Sequence, residues 1–314
     1  MKTYIQVALI VVGCLAIAGC ASKHFIIDRY PVSETSGFVL DLDEVRRLAT
    51  AGGGELPVEV RSLVVAEASM PRWFAMAGGG SGSIPFDIVA YQVVYPDGTV
   101  IIDSCFDKEE AYDGIAVFFL RKFQLNTYSQ ENYEILQESL RNASLILVTH
   151  EHFDHIGGIA ASPYPTEIIP HLLLTKEQAE GPIATDPRFL GGEFSGYVPL
   201  SYEGPYYTAK PGIVLIKAPG HAPGQQIIYV TTKDGNEYLF IGDIIWNREN
   251  LKRRVYRPRI SSMKDDLDSA REEFRWVLEK LYDDPSNKII YVISHDRDQL
   301  RDYINAGVIT EGFK

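Results

Sequence analysis

The sequence predicts an α/β fold: one domain of αββα layering behind an N-terminal extension. Three observations point to it. Short apolar runs of strand length recur at residues 100–102, 145–148, 213–216, 238–241 and 289–293, each followed within a few residues by a His or an Asp. Residues 264–282 form an amphipathic helix, with Leu267, Ala270, Phe274, Val277, Leu278 and Leu281 on one face and charges on the other, suited to packing on the outside of a sheet. The chain has 314 residues, and what remains after its N-terminal segments suits a single domain.

The elements follow in order. Met1 and Lys2 precede an uncharged stretch over residues 4–17, which reads as a secretory n-region and h-region because it is too short to span a membrane. Ile17-Ala18-Gly19-Cys20 resembles a lipobox. This implies a lipoprotein signal peptide over residues 1–19, cleavage before Cys20 and lipidation of its thiol, with residues 20–36 as a tether. Ala21 in place of Asp resembles outer-membrane sorting, so the expected location is the periplasmic face of the outer membrane. Residues 37–85 form the N-terminal extension, with a short helix or turn at 43–48. Within it Met70, Trp73, Phe74 and Met76 run into the glycine-rich stretch 78–82, a candidate loop for a substrate pocket that takes an apolar chain. The catalytic domain is expected over residues 86–314. It starts with a hairpin, 88–95 and 99–103, around Pro96-Asp97-Gly98. Helices at 108–123 and 130–142 come next, then the strand 145–148. A loop bearing Tyr197, Tyr202, Tyr206 and Tyr207 precedes the strand 213–216 and is a candidate for the opposite pocket wall.

The densest chemistry is His150-Glu151-His152-Phe153-Asp154-His155, directly after the run 145–148. The chain has 7 histidines and three of them lie here, so chance is a poor explanation. In an extended segment residues two apart point the same way, so His150 and His152 can hold one metal while Asp154 and His155, past the turn, face another. Imidazole and carboxylate suit zinc, iron or manganese. His24 and His171 fall outside any motif and are read as incidental.

Five motifs in register carry a family resemblance: Asp103 closing its strand, His150-x-His152-x-Asp154-His155, Pro219-Gly220-His221, Gly242-Asp243 and Ser294-His295. From about residue 86 onward the chain resembles the metallo-β-lactamase-fold hydrolases, and among them the dinuclear branch containing the N-acyl homoserine lactonases. The resemblance implies an αββα sandwich of the metallo-β-lactamase type holding two divalent ions, zinc first, with iron or manganese as alternatives. It assigns His150, His152 and His221 to one ion, Asp154, His155 and His295 to the other, and Asp243 to both. Asp103 would orient a ligand histidine. The implied reaction opens a lactone ester by a hydroxide shared between the ions, with Asp154 and Asp243 as the catalytic carboxylates. One position departs from the lactonase pattern: Trp246 stands three residues after Asp243, where those enzymes carry a Tyr. An indole N–H can donate a hydrogen bond but has no hydroxyl to accept or pass a proton. β-Lactam hydrolysis and a noncatalytic metal-binding lipoprotein are the rival readings.

The resemblance implies a small-molecule substrate, and the lipobox a membrane partner through its lipid. A net charge of −12 argues against phosphate-backbone binding, so no nucleic acid is expected. Neither glycine-rich stretch has the Gly-Lys-Ser/Thr ending of a phosphate loop. Cys14 would leave with the signal and Cys20 would carry lipid, leaving Cys105 as a small buried residue near the site. Arg248, Lys252, Arg253, Arg254, Arg257 and Arg259 form the one basic cluster, read as a solvated face pairing with local acids.

Overall fold

The computed structural model describes residues 38, 40–113, 124–180, 194, 196–262 and 265–314. Its strands form two sheets. The first contains β1 (Glu59–Pro71), β2 (Ser83–Tyr95), β3 (Gly98–Ile102), β4 (Gln124–Tyr128), β5 (Leu145–Leu147) and β11 (Thr310–Glu311), in the order β11-β1-β2-β3-β5 with β4 also paired to β1. The second contains β6 (Tyr206–Lys210), β7 (Ile213–Lys217), β8 (Gln226–Thr231), β9 (Glu237–Phe240) and β10 (Ile290–Val292), in the order β10-β9-β8-β7-β6. The helices are α1 (Leu42–Ala51), α2 (Arg72–Ala75), α3 (Lys108–Asp113), α4 (Gln130–Arg141), α5 (Phe153–Ala160), α6 (Pro165–Ile168), α7 (Lys176–Glu180), α8 (Arg248–Arg253), α9 (Leu267–Val277) and α10 (Arg297–Asn305).

Apolar strands without polar alternation need two covered faces, and the packing provides them. Ile213, Leu215, Ile228 and Val230 meet Val93, Val100, Ile102 and Leu147 of the first sheet in a shared inner core. Their neighbours Val214, Ile216, Ile227 and Tyr229 point outward, against Val45 and Ala49 of α1 and Ala270, Phe274 and Val277 of α9. On the far side, Ile101 and Ile146 pack with Leu136 and Leu140 of α4 and with Ile156 and Ile159 of α5. The result is the expected αββα order.

Three expectations need correction. The core begins well before residue 86, because β1 pairs with β2 from Glu59↔Val94 to Pro71↔Ser83, and α1 covers the second sheet. Polar Glu59, Arg61, Ser62 and Glu67 break up the apolar signal of β1. The helix at 108–123 is helical only as α3 among the described residues, and β4 starts at Gln124. The amphipathic helix expected at 264–282 starts at Leu267, capped by the Asp266 side chain on the amides of Asp268 and Ser269, and widens into a π-turn at Leu278–Tyr282. The signal segment, Cys20 and the tether lie outside the described residues. Among the described residues no helix is long and apolar enough to cross a membrane.

Candidate metal centre

Strand direction brings the predicted ligands together. β3 and β5 are parallel, as are β9 and β10, and β7 runs the same way as β9 through the antiparallel β8. The residues that follow the C-terminal ends of β5, β7, β9 and β10 therefore converge on one edge of the sandwich. His150 and His152 follow β5, Asp154 and His155 occupy the first turn of α5, and His221, Asp243 and His295 follow β7, β9 and β10. Rigid strand ends with short loops are how a scaffold holds several ligands in register.

The donor atoms form two groups, His150, His152, His221 and Asp243 in one and Asp154, His155 and His295 in the other. In the first, His152 Nδ1 lies 3.0 Å from both His150 Nε2 and His221 Nε2, and Asp243 Oδ2 lies 3.8 and 3.5 Å from those same two nitrogens. Four ligands held tetrahedrally about 2.0–2.1 Å from one zinc ion would be about 3.3 Å apart, which these distances bracket. In the second, Asp154 Oδ2 lies 3.9 Å from His155 Nε2 and 3.7 Å from His295 Nε2. Asp243 Oδ1 lies 3.5 and 3.1 Å from the same nitrogens. One oxygen of Asp243 thus faces each group. His155 Nε2, His295 Nε2 and Asp243 Oδ1 are buried with no hydrogen-bond partner. Orphaned buried donors are costly, and a cation at their meeting point would satisfy all three. The donor set fits divalent ions.

Charge around the groups is uneven. Burial, then the neighbouring His155, hold His150 far below the usual imidazole range, and burial and His221 do the same to His152. His155 goes the other way: burial opposes its charge, but Asp103, Asp154 and Asp243 outweigh that and raise it well above the ordinary value. Asp243 is held far down despite burial, chiefly by His295 and His155.

Three of the candidate histidines have support behind them. His155 Nδ1 meets Asp103 Oδ2 at 2.9 Å, and Asp103 also accepts from the Thr149 amide (2.7 Å) and hydroxyl (3.0 Å). His295 Nδ1 meets the Asp87 carbonyl at 2.7 Å, and Asp87 is itself gripped by Arg297. His221 Nδ1 lies 2.6 Å from Arg257 Nη2 and 3.5 Å from Asp265 Oδ1. The His221 loop is held at both ends, by Glu273 on the Gly220 amide (2.8 Å) and Glu151 on the Gly224 amide (3.1 Å). The Asp103 turn needs close approach to α5: Asp103 and Cys105 adopt φ of 63° and 56°, and a Cβ on Gly158 would sit 2.0 Å from the Ser104 carbonyl.

Residues 83–282 match the model of the Metallo-beta-lactamase superfamily, about two thirds of the chain. The chain belongs to that superfamily. Metallo-beta-lactamase relatives described as probable metallo-hydrolases, from Mycobacterium bovis and Mycobacterium tuberculosis, are each 28% identical over 195 residues, which is 54% of this chain and 61% of theirs. The chain therefore spans about three fifths of the length of those relatives. Among solved Metallo-beta-lactamase-like structures, an N-acyl homoserine lactone hydrolase with N-hexanoyl-L-homoserine bound superposes with a TM-score of 0.60 at 16% identity, covering 79% of this chain and 96% of that one. A Bacillus thuringiensis protein with N-decanoyl-L-homoserine at its active site gives 0.60 at 16%, with 79% and 96% covered. A probable metal-dependent hydrolase from Staphylococcus aureus gives 0.57 at 15%, with 77% and 91% covered. At such identity the superpositions establish the Metallo-beta-lactamase fold alone.

All seven predicted ligands and Asp103 meet in the site. The pocket residues divide. Met70 and Met76 are fully buried in the core of the first sheet, and Trp73 is exposed. Phe74 stacks on Trp246 (centroids 6.0 Å apart), and Trp246 Nε1 donates to Asp243 Oδ2 at 2.7 Å. That indole N–H is committed to a ligand and is not free for a substrate carbonyl. Tyr206 and Tyr207 lie in β6 and not in a loop; Tyr197 bonds to the backbone of residues 172 and 174, Tyr206 accepts from the Asp41 amide at the start of α1, and Tyr202 packs on Tyr207 and under Lys217, so the tyrosines brace neighbouring segments instead of lining a wall. In the basic cluster Arg248 pairs with Asp302, Lys252 and Arg253 with Glu249, and Arg254 with Asp283. Arg257 is different: it is fully buried behind His221, paired with Asp265. Asp265 falls within the span 264–282, which the sequence marks only as an amphipathic helix suited to packing on a sheet. The unbroken acidic pair Asp265-Asp266 conceals that one caps the helix and the other turns inward. Cys105 is buried beside the Asp103 turn and its carbonyl accepts from Gly158.

Proposed function

We propose that the chain is a dinuclear metal-dependent hydrolase that opens the ester bond of a lactone, exported and held at a membrane through Cys20. The observation that carries the two-ion reading is the Asp243 carboxylate, with Oδ2 toward His150 and His221 and Oδ1 toward His155 and His295. His150, His152 and His221 would hold one ion, Asp154, His155 and His295 the other. Bound there, two divalent ions supply a water acidified to a pKa of about 7 and polarise an ester carbonyl.

The protein's own residues account for the rest. Asp103, the Asp87 carbonyl and the Asp265–Arg257 pair fix the ring orientations of His155, His295 and His221, so the donors need little rearrangement. Asp154 lies in the second group with 8% exposure, against 2% for Asp243 and 1% for Asp103, and is suited to hand a proton to a leaving alkoxide. Phe86 stacks on His295 at 3.7 Å and stands edge-on to Trp246, with Phe74 behind it, so the flank of the centre is aromatic. Such a flank favours an ester with an apolar substituent. The lactone reading is also supported by the solved lactone hydrolase that shares the fold. A panel of acyl homoserine lactones, simple lactones, β-lactams, thioesters and phosphodiesters tests it. Lactone turnover that disappears on chelation and returns with metal supports the reading. Turnover confined to β-lactams or phosphodiesters refutes the substrate class, and metal binding without any turnover refutes the enzyme.

A further inference from the structure

The two halves of the centre differ in the charge placed behind them. Behind the second group stands Asp103, 2.9 Å from His155 Nδ1, whose other partners are the uncharged Thr149 amide and hydroxyl. That group also contributes Asp154 as a ligand of its own, and the Asp243 oxygen facing it accepts no hydrogen bond. Behind the first group stands a cation. Arg257 is fully buried, with Nη2 2.6 Å from His221 Nδ1 and its guanidinium 4.3 Å above the Trp246 ring. It neutralises Asp265, the one carboxylate near His221 Nδ1. Trp246 in turn donates to Asp243 Oδ2, drawing density from the oxygen that faces the first group. Nε and Nη1 of Arg257 are buried without partners, while Nη2 meets Asp265 and the Tyr256 hydroxyl, so the Arg257–Asp265 pair offers His221 no net negative charge, whereas His155 faces the Asp103 carboxylate with no cation beside it among the described residues. In a buried site such a difference in charge acts strongly on a bound cation, because little water screens it.

We infer that Arg257 is a positioning residue that makes the centre unequal, so that the Asp154–His155–His295 position takes its ion first and the His150–His152–His221 position takes its ion last and more weakly. This rests on the two-ion reading above. A consequence is a single-ion form of the protein at low metal, with the second position filled only when metal is plentiful, and with its ion the more electron-poor of the two.

The test is calorimetric titration of the metal-free protein with Zn²⁺, with Co²⁺ absorption as a second readout. Wild type should show two events separated by at least about tenfold in affinity. His221→Ala should remove the weaker event and leave the tighter, and His295→Ala the reverse. Arg257→Met should tighten the weaker event at least about tenfold, Arg257→Lys should leave it within about threefold, and Asp103→Asn should weaken only the tighter one. If Arg257→Met does not accumulate without metal, zinc release from its holoprotein to a chelator is followed instead, and the faster phase should slow. Loss of the tighter event in His221→Ala, or a weaker event unmoved in Arg257→Met, overturns this inference while leaving the two-ion reading intact. A wild-type protein that takes one ion even at millimolar zinc overturns both.

Discussion

Gly158→Ala isolates the steric demand behind the centre. Helix propensity alone predicts that an Ala inside α5 stabilises by about 1 kcal/mol. The structure predicts the opposite, because the new Cβ would lie 2.0 Å from the Ser104 carbonyl oxygen, against an ordinary approach of about 3.5 Å. The turn at residues 103–105 would have to retreat by more than about 1 Å, beyond hydrogen-bond range. Besides the Asp103–His155 contact, four bonds join that turn to α5: the Ser104 amide and hydroxyl to the His155 carbonyl (2.7 and 2.9 Å), the Gly158 amide to the Cys105 carbonyl (2.9 Å) and the Ile159 amide to Ser104 Oγ (3.1 Å). At about 1 kcal/mol each the loss is about 4 kcal/mol, or about 3 after the propensity gain. That is roughly 6–10 °C in Tm for a domain of this size. The retreat also draws Asp103 from His155, so zinc affinity should fall about 10- to 100-fold. Gly157→Ala is the control: its Cβ would lie 3.3 Å from the Cys105 carbonyl, a tight contact that the propensity gain can offset, so its Tm should stay within a few degrees. Thermal unfolding with chelator and a zinc competition assay read both effects. A Gly158→Ala protein as stable and as tight for zinc as wild type would refute the reasoning.

Trp246→Phe keeps the aromatic contacts with Phe74 and Phe86 but removes the donor to Asp243, so the metal-free protein should lose about 1.5–3 kcal/mol by denaturant unfolding; an unchanged midpoint would show that the bond contributes nothing. Burial raises the Glu151 carboxyl to about 7 from its ordinary 4.5, so its contribution to stability is full below about pH 4.5 and is lost as pH rises through about 7. That interval, at about 1.4 kcal/mol per pH unit, is about 3 kcal/mol. Glu151→Gln, which mimics the neutral acid, should match metal-free wild type near pH 5 and exceed it by up to that amount at pH 8; a stability difference independent of pH contradicts the assignment. Cys20→Ser should release the protein from the membrane fraction with specific activity unchanged, and a variant that stays in the pellet as an integral species ends the lipobox reading.

The ligands were legible because strand ends advertise them. Each of His150, His221, Asp243 and His295 follows an apolar run, and a run buried on both faces gives a continuous signal that needs no knowledge of its partner. β1 was hidden because Arg61 and Glu67 sit at its half-exposed positions, and their polarity interrupts the pattern of a strand that nonetheless pairs along its full length with β2. Arg257 and Asp265 were hidden for a different reason. Eight residues apart and amid surface charges, they resemble the solvated pairs Arg254–Asp283 and Arg253–Glu249, and only the fold reveals that this one pair is buried against His221. Trp246 drew notice in the sequence, but its partner could not be read from spacing: three residues after Asp243, the 3-10 turn at Gly242–Ile244 folds its indole back onto that carboxylate.

The central claim is a two-ion hydrolytic centre bridged by Asp243, and the most direct measurement of it joins stoichiometry to turnover. Metal-free protein is reconstituted with zero to three equivalents of zinc, bound metal is counted after desalting, and hydrolysis of acyl homoserine lactones is followed on the same samples. The account predicts turnover that reaches its plateau at two bound ions per chain, and an Asp243→Ala protein that remains folded, retains fewer than two ions and is inactive. A plateau at a single ion, or full lactone turnover in folded Asp243→Ala, would contradict it.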